Sequence, residues 1–294
     1  MGNLIKAEFR KVLTTKSWWA LLIPAVLFAF FFAMGWGAPV NEFADAIGSS
    51  DARRLAAALG INPGEWPVGL LAMAHGTNIA VLFSVIFGVF ALAGEHTKKT
   101  ITTTFLTAPN RTMALTSKML TYIVWGVLYG VVIVLCATLG TLSVVSTDNM
   151  PSPAAWLGML GAGVLASTLG MLFGIGIGAL WGSVTGSVIT LVIYLLIVEN
   201  LLVIVAFGWG GIDWLGGVLP NGTLNGIVGA IGAEAFGVAG NTLPGLEEEL
   251  QWSLQMFAGA PGAFSWWASA LIFLGWTLLA FCGGWLRNQN RDIT

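Results

Sequence analysis

The chain has 294 residues, of which 56% are hydrophobic and only 9% charged, against about 25% charged in an average soluble domain. A formal net charge of −2 provides no bulk basic field, so nucleic acid is not expected as a partner. Cys136 and Cys282 fall inside apolar runs, where a thiol behaves as a small hydrophobe, and they define no disulfide framework.

Uncharged stretches long enough to cross ~30 Å of hydrocarbon as a helix recur along the chain. They predict an all-α integral membrane protein, with residues 1–294 forming a single transmembrane domain. In residues 1–16, Ile5, Phe9 and Val12 share one helical face, while Lys6, Arg10 and Lys11 are placed to meet lipid phosphates. That pattern predicts an interfacial elbow helix. Six spans are expected at 17–37, 69–94, 119–145, 155–181, 184–207 and 264–286. The first is longer than a signal-peptide core and has only the weak Ala44-Asp45-Ala46 as a cleavage site, so it reads as a retained span.

An even number of spans puts both termini on one side. Lys6, Arg10, Lys11, Lys16, Lys98, Lys99, Arg111, Lys118, Arg287 and Arg291 share that face, which the positive-inside rule makes cytoplasmic. Acids gather opposite, at Glu42, Asp45, Asp51, Glu65, Asp148, Asp213, Glu234 and Glu247 to Glu249, where only Arg53 and Arg54 break the pattern. Tryptophans mark the same edges, with Trp18, Trp181 and Trp285 at inner ends and Trp36, Trp156 and Trp266 at outer ones.

Between the second and third spans lies a polar insert, "EHTKKTITTTFLTAPNRTMALTSK", residues 95–118. Ile101, Phe105 and Ala108 recur on one face and Pro109 stops that helix, so a short amphipathic helix parallel to the membrane is expected. By composition it either docks into a groove on a soluble partner or holds topology through anionic headgroups.

The fourth span repeats small residues every fourth position, including Gly170, Gly174, Gly178 and Gly182. Such a seam lets another helix approach closely, and packing within the chain is favoured over a subunit interface. Ionisable groups inside spans are few: His75 on the second and Glu199 on the fifth, beside Asn78 and Asn200. Both lie roughly 10 Å from the outer edge at ~1.5 Å per residue. They form either a functional pair or a hydrogen-bonded one that fixes packing.

Within the extracytoplasmic loop 208–262, residues 224–240 are apolar but short, glycine-rich and interrupted by Glu234. A seventh span there would separate Arg287 and Arg291 from the other cations. With 247–257, this segment is expected to form short re-entrant or interfacial helices before the last span.

The insert resembles the cytoplasmic loop of ATP-binding-cassette permeases of the type-2 exporter superfamily (drug, antibiotic and peptide exporters). Gly94, Glu95, Thr100, Ile101, Leu106, Ala108, Pro109, Arg111 and Lys118 match its order, while Lys99 stands where the family usually has Gly. The basic elbow running into the aromatics Trp18 and Trp19 adds to the likeness.

The resemblance implies a coupling helix resting on a separate ATPase subunit, with Glu95, Lys98, Lys99, Thr100, Ile101, Phe105, Pro109 and Arg111 at that contact. It implies a substrate path along the second and fifth spans, for which His75, Asn78, Phe83, Phe87, Tyr194, Glu199 and Asn200 are the candidates. It also implies two ATPase copies carrying ATP and Mg, a second permease subunit, surrounding lipids, and residence in a bacterial cytoplasmic membrane. The substrate would be amphipathic or lipid-like, since the expected lining is mostly uncharged. No Gly-Lys dipeptide occurs, so the phosphate cradle Gly-x-x-x-x-Gly-Lys-Ser/Thr is absent, and no cofactor or metal is expected in this chain. Competing readings are a non-transporting anchor of a larger complex and an ion-coupled transporter, the latter poorly served by two buried ionisable groups. A membrane enzyme lacks its His-Glu-x-x-His or Gly-x-Ser-x-Gly.

Overall fold

The computed structural model describes residues 1–47, 49–50, 67–100, 109–234 and 247–289. Among these, six helices are long and apolar enough to cross a membrane. The elbow α1 (Gly2–Thr14) ends where Thr15 turns extended, and Val12 on its apolar face is buried. The first span, α2 (Ser17–Ile47), runs past the expected end at residue 37. Its extension is held by the residues just after the third span: Gly37 packs on Val144 and Val145, and Asn41 donates from Nδ2 to the Val144 carbonyl at 2.8 Å.

The second span, α3 (Gly69–Phe90), is the central rod, buried along most of its length. A short α4 (Ala93–Thr97) follows it. The third span, α5 (Arg111–Leu142), begins about two turns earlier than expected because Asn110 caps it, its Oδ1 accepting the Met113 N–H at 2.7 Å. In the fourth, α6 (Pro153–Trp181), Ser152 is the N-cap, a proline opens the helix, and Gly182 closes it at φ +66. Ser183 immediately caps the fifth span, so Gly182 and Ser183 make the turn between the fourth and fifth spans. The fifth comprises α7 (Val184–Ile193), a π-helical turn at Tyr194–Val198, and α8 (Glu199–Gly210).

Two short helices precede the last span, α11 (Trp266–Gln289). They are α9 (Pro220–Glu234) and α10 (Glu247–Phe257). The first is buried against α3, α6 and α11, with Leu224, Ile227 and Val228 in the core. Its glycines permit this depth: a Cβ on Gly229 would lie 2.5 Å from the Ala260 Cβ. A short helix at membrane depth is tolerated where protein encloses it.

The small-residue seam of α6 packs on α3. A Cβ on Gly174 would lie 2.0 Å from the Val85 carbonyl oxygen, and one on Gly88 would lie 1.9 Å from that of Met171. The two backbones therefore touch, each through the other's glycine. Gly170 and Gly178 continue the contact along Val85 and Val89. Gly182, expected in the same seam, instead serves the left-handed end of the helix, and Gly158 faces open space. Gly174→Val is expected to lower stability by about 1–3 kcal/mol through overpacking, read as a fall in the thermal unfolding midpoint in detergent. Gly158→Ala should leave that midpoint unchanged or slightly raised.

Candidate functional site

The two ends of the polar insert meet the elbow in a cluster of charged side chains. Lys118 Nζ donates to Glu95 Oε1 at 2.8 Å and to Glu8 Oε2 at 2.9 Å. Lys11 Nζ donates to the same Glu95 oxygen. Lys118 and Glu95 are each only 2% exposed. Removing either partner leaves the other with one counter-charge, Glu8 for Lys118 or Lys11 for Glu95, so the cost falls below the ~3–5 kcal/mol of a fully stranded buried charge. Lys11, expected to face lipid phosphates, instead brings its ammonium to Glu95 while its side chain stays partly exposed. Burial, and then the Lys118 ammonium beside it, lower its pKa to about 8, so at neutral pH it still carries its charge.

Above this cluster the chain turns sharply. The Lys99 N–H bonds to the His96 carbonyl and the Thr100 N–H to that of Glu95, the paired bonds of a helix ending in a left-handed residue. That residue is Lys99, with φ +56, a conformation that costs an L-residue about 1–2 kcal/mol. Lys98, Lys99, Thr100, Pro109 and Arg111 are exposed. Ile101 and Phe105 lie outside the described residues.

Toward the other end, α3, α8, α9 and α10 flank a cavity of about 460 Å³ that is open on one side, past exposed Asn200 and Ile204. His75, Asn78 and Asn200 line it, with Trp36, Trp252 and Phe207 among the aromatic walls. The His75 ring packs on Trp36 with centroids 4.3 Å apart. Glu199 does not pair with His75. It is 1% exposed, and its carboxylate accepts the N–H groups of Asn221 at 2.9 Å and Gly222 at 2.7 Å. These are the first free donors of α9, for Pro220 has none and Thr223 N–H reaches the Leu219 carbonyl. A helix N-terminus needs such acceptors and favours a negative charge. Asn200 performs the complementary task one residue on, its Nδ2 reaching the Leu195 and Leu196 carbonyls at 3.0 Å each, where the π turn has displaced the usual ladder.

Phe83 and Phe87 do not line this cavity. On a helix turning about 100° per residue, they are rotated away from the stripe of His75, Asn78, Ile79 and Leu82. Phe83 meets Phe28, and Phe87 is buried against Tyr122, Trp125 and Tyr129. Tyr194 lines a separate apolar cavity with Trp181 and Trp276.

Residues 4–199 match the family model described as ABC-2 family transporter protein. The chain belongs to the ABC-2 transporter family. It is a multi-pass membrane permease component of an ABC transporter, and membership implies association with an ABC ATPase. No curated protein matches the chain.

In this ABC-2 permease, sequence reasoning missed Glu8, Asn110, Asn221 and Asn225. Glu8 carried a signal, being the one acid inside the basic elbow. The left-handed turn at residue 99 gives a physical reason for the glycine that the resemblance leads one to expect there. Lys99→Gly in the ABC-2 permease should therefore stabilise the turn by about 1 kcal/mol. Amide hydrogen exchange at Thr100 checks this, with slower exchange in the variant as the expected result.

Proposed function

We propose that the chain is the membrane subunit of an ATP-driven exporter, with residues 95–118 acting as the coupling segment that rests on the ATPase. The observation that carries this reading is the ion-paired cluster of buried Lys118 and Glu95 with Glu8 and Lys11 at its edge. It joins the elbow to both roots of the insert, so a push on the insert reaches α1, α4 and α5 together. Lys98, Lys99 and Arg111, at the surface beyond the cluster, are suited to acids on the ATPase.

In this reading the insert and both termini face the cytoplasm of a bacterial cell, as the distribution of lysine and arginine supports. Two ATPase copies bind ATP and Mg. A second copy of the permease, or a sister chain, completes the path. The cavity beside His75, Asn78 and Asn200 takes an amphipathic substrate, as its largely apolar walls support.

The test is co-expression with a candidate ABC ATPase from the same genome, followed by purification and reconstitution. Vanadate-sensitive ATP hydrolysis by the complex is expected to rise with substrate. Lys98→Glu combined with Arg111→Glu is expected to reduce co-purification and hydrolysis by about tenfold or more, since like charges then meet across the contact. Unchanged association would overturn the coupling role. Hydrolysis indifferent to every candidate substrate would favour a membrane anchor over a transporter.

A further inference from the structure

The cavity between α3, α8, α9 and α10 has an unusual polar complement. Its α9 and α10 walls lie beyond the residues matched to the family model. Among the described lining residues there is no Asp, Glu, Lys or Arg, and His75 is the one ionisable side chain. Polar contact comes instead from four carboxamides, Asn78, Asn200, Asn221 and Asn225. Asn221 and Asn225 stand one turn apart on α9, on the same face.

The hydrogen-bonding capacity left over is specific. The amide nitrogen of Asn78 is committed to the Ala258 carbonyl at 3.0 Å, while its Oδ1 has no partner among the described residues although Asn78 is only 7% exposed. A buried polar atom of this kind calls for a donor. Asn200 likewise spends its nitrogen on the π turn and keeps its oxygen. No side-chain hydrogen bond to another described residue engages Asn221 or Asn225, which leaves each a donor and an acceptor function. Glu199, the carboxylate next in sequence to Asn200, has both oxygens bound to the α9 backbone. A charged ligand here would lose its hydration and gain no counter-charge, whereas an uncharged head with N–H or O–H groups would satisfy the waiting oxygens.

We infer that this cavity selects an uncharged amphiphile whose head carries amide or hydroxyl groups, and that Asn78, Asn221 and Asn225 are its specificity-determining residues. The inference rests on the reading of this cavity as the substrate site and names the class of substrate. The apolar body lies along Ile79, Leu82 and Val203, and the head meets the carboxamides. The volume of about 460 Å³ falls within the ~300–1,000 Å³ of small-molecule sites.

The test uses the full chain in phosphatidylcholine nanodiscs and three tritiated probes that share one acyl chain. These are decanoylglycinamide, which is neutral, decanoylglycine, which is anionic, and N-decanoylethylenediamine, which is cationic. Saturable binding of the neutral probe is expected to be at least ~10-fold tighter than that of either charged one. Asn225→Ala should weaken the neutral probe by about 3–10-fold, and Asn225→Asp should shift the preference toward the cationic probe. The last result is a gain that misfolding does not imitate. Equal saturable binding of all three probes, tighter binding of a charged one by the unsubstituted protein, no saturable binding of the neutral one, or an unchanged preference in Asn225→Asp would overturn the inference. If these failures occur in a protein that still recruits and stimulates its ATPase, the selectivity is wrong and the exporter reading stands. If instead the chain binds the neutral probe selectively but recruits no ATPase, the selectivity stands and the exporter reading is wrong.

Discussion

A lysine ammonium and a glutamate carboxylate, 2.8 Å apart and each almost wholly withdrawn from solvent, determine how the polar insert is attached to the rest of the molecule. Taking both charges out of water is costly, and attraction offsets that cost only when the geometry is good and further hydrogen bonds complete the set. Glu8 and Lys11 complete it here. Because the members come from α1, from α4 and from the start of α5, the cluster fixes three chain segments that no apolar contact alone would register so closely. An elbow packed only through Val12 and Phe9 would be free to slide along the bundle. With the cluster formed, the elbow and the roots of the insert move as one piece.

At the opposite end the constraint is backbone polarity. α9 starts within the protein, where its free N–H groups cannot be left to lipid. Glu199 supplies the acceptors and Asn200 repairs the displaced ladder of its own helix. The same arrangement uses up the Glu199 carboxylate beside the cavity, and among the described residues neutral amides are left to face it. Depth, capping and the character of the cavity thus follow from one requirement, that every backbone group within the membrane find a partner.

Much of this was legible in the sequence because bilayer thickness imposes a length on each span, and uncharged runs of that length are hard to mistake. The short helices before the last span were legible for the opposite reason: 224–240 is too short, too rich in glycine and interrupted by an acid. What the sequence did not reveal depends on how each rod is rotated and on what its neighbours offer. Phe83 and Phe87 share a helix with His75 but face α2 and α5. Gly182 continues a numerical repeat but ends the helix that carries it. Lys11 looked suited to lipid phosphate until folding set Glu95 under it, across 84 positions of sequence. Asn221 and Asn225 look like ordinary turn-formers, and only the entry of α9 into the bundle makes them part of a cavity wall.

The most direct measurement is a double-mutant cycle on Glu95→Gln and Lys118→Met, with unfolding free energy followed in one detergent at neutral pH. Each single substitution is expected to cost about 2–3 kcal/mol, less than stranding a lone buried charge, because Glu8 still pairs with Lys118 or Lys11 with Glu95. The double variant should be more stable than the sum of those losses predicts, by about 2 kcal/mol or more. Strictly additive losses, or single substitutions that cost nothing, would contradict the claim that this cluster joins the elbow to the insert.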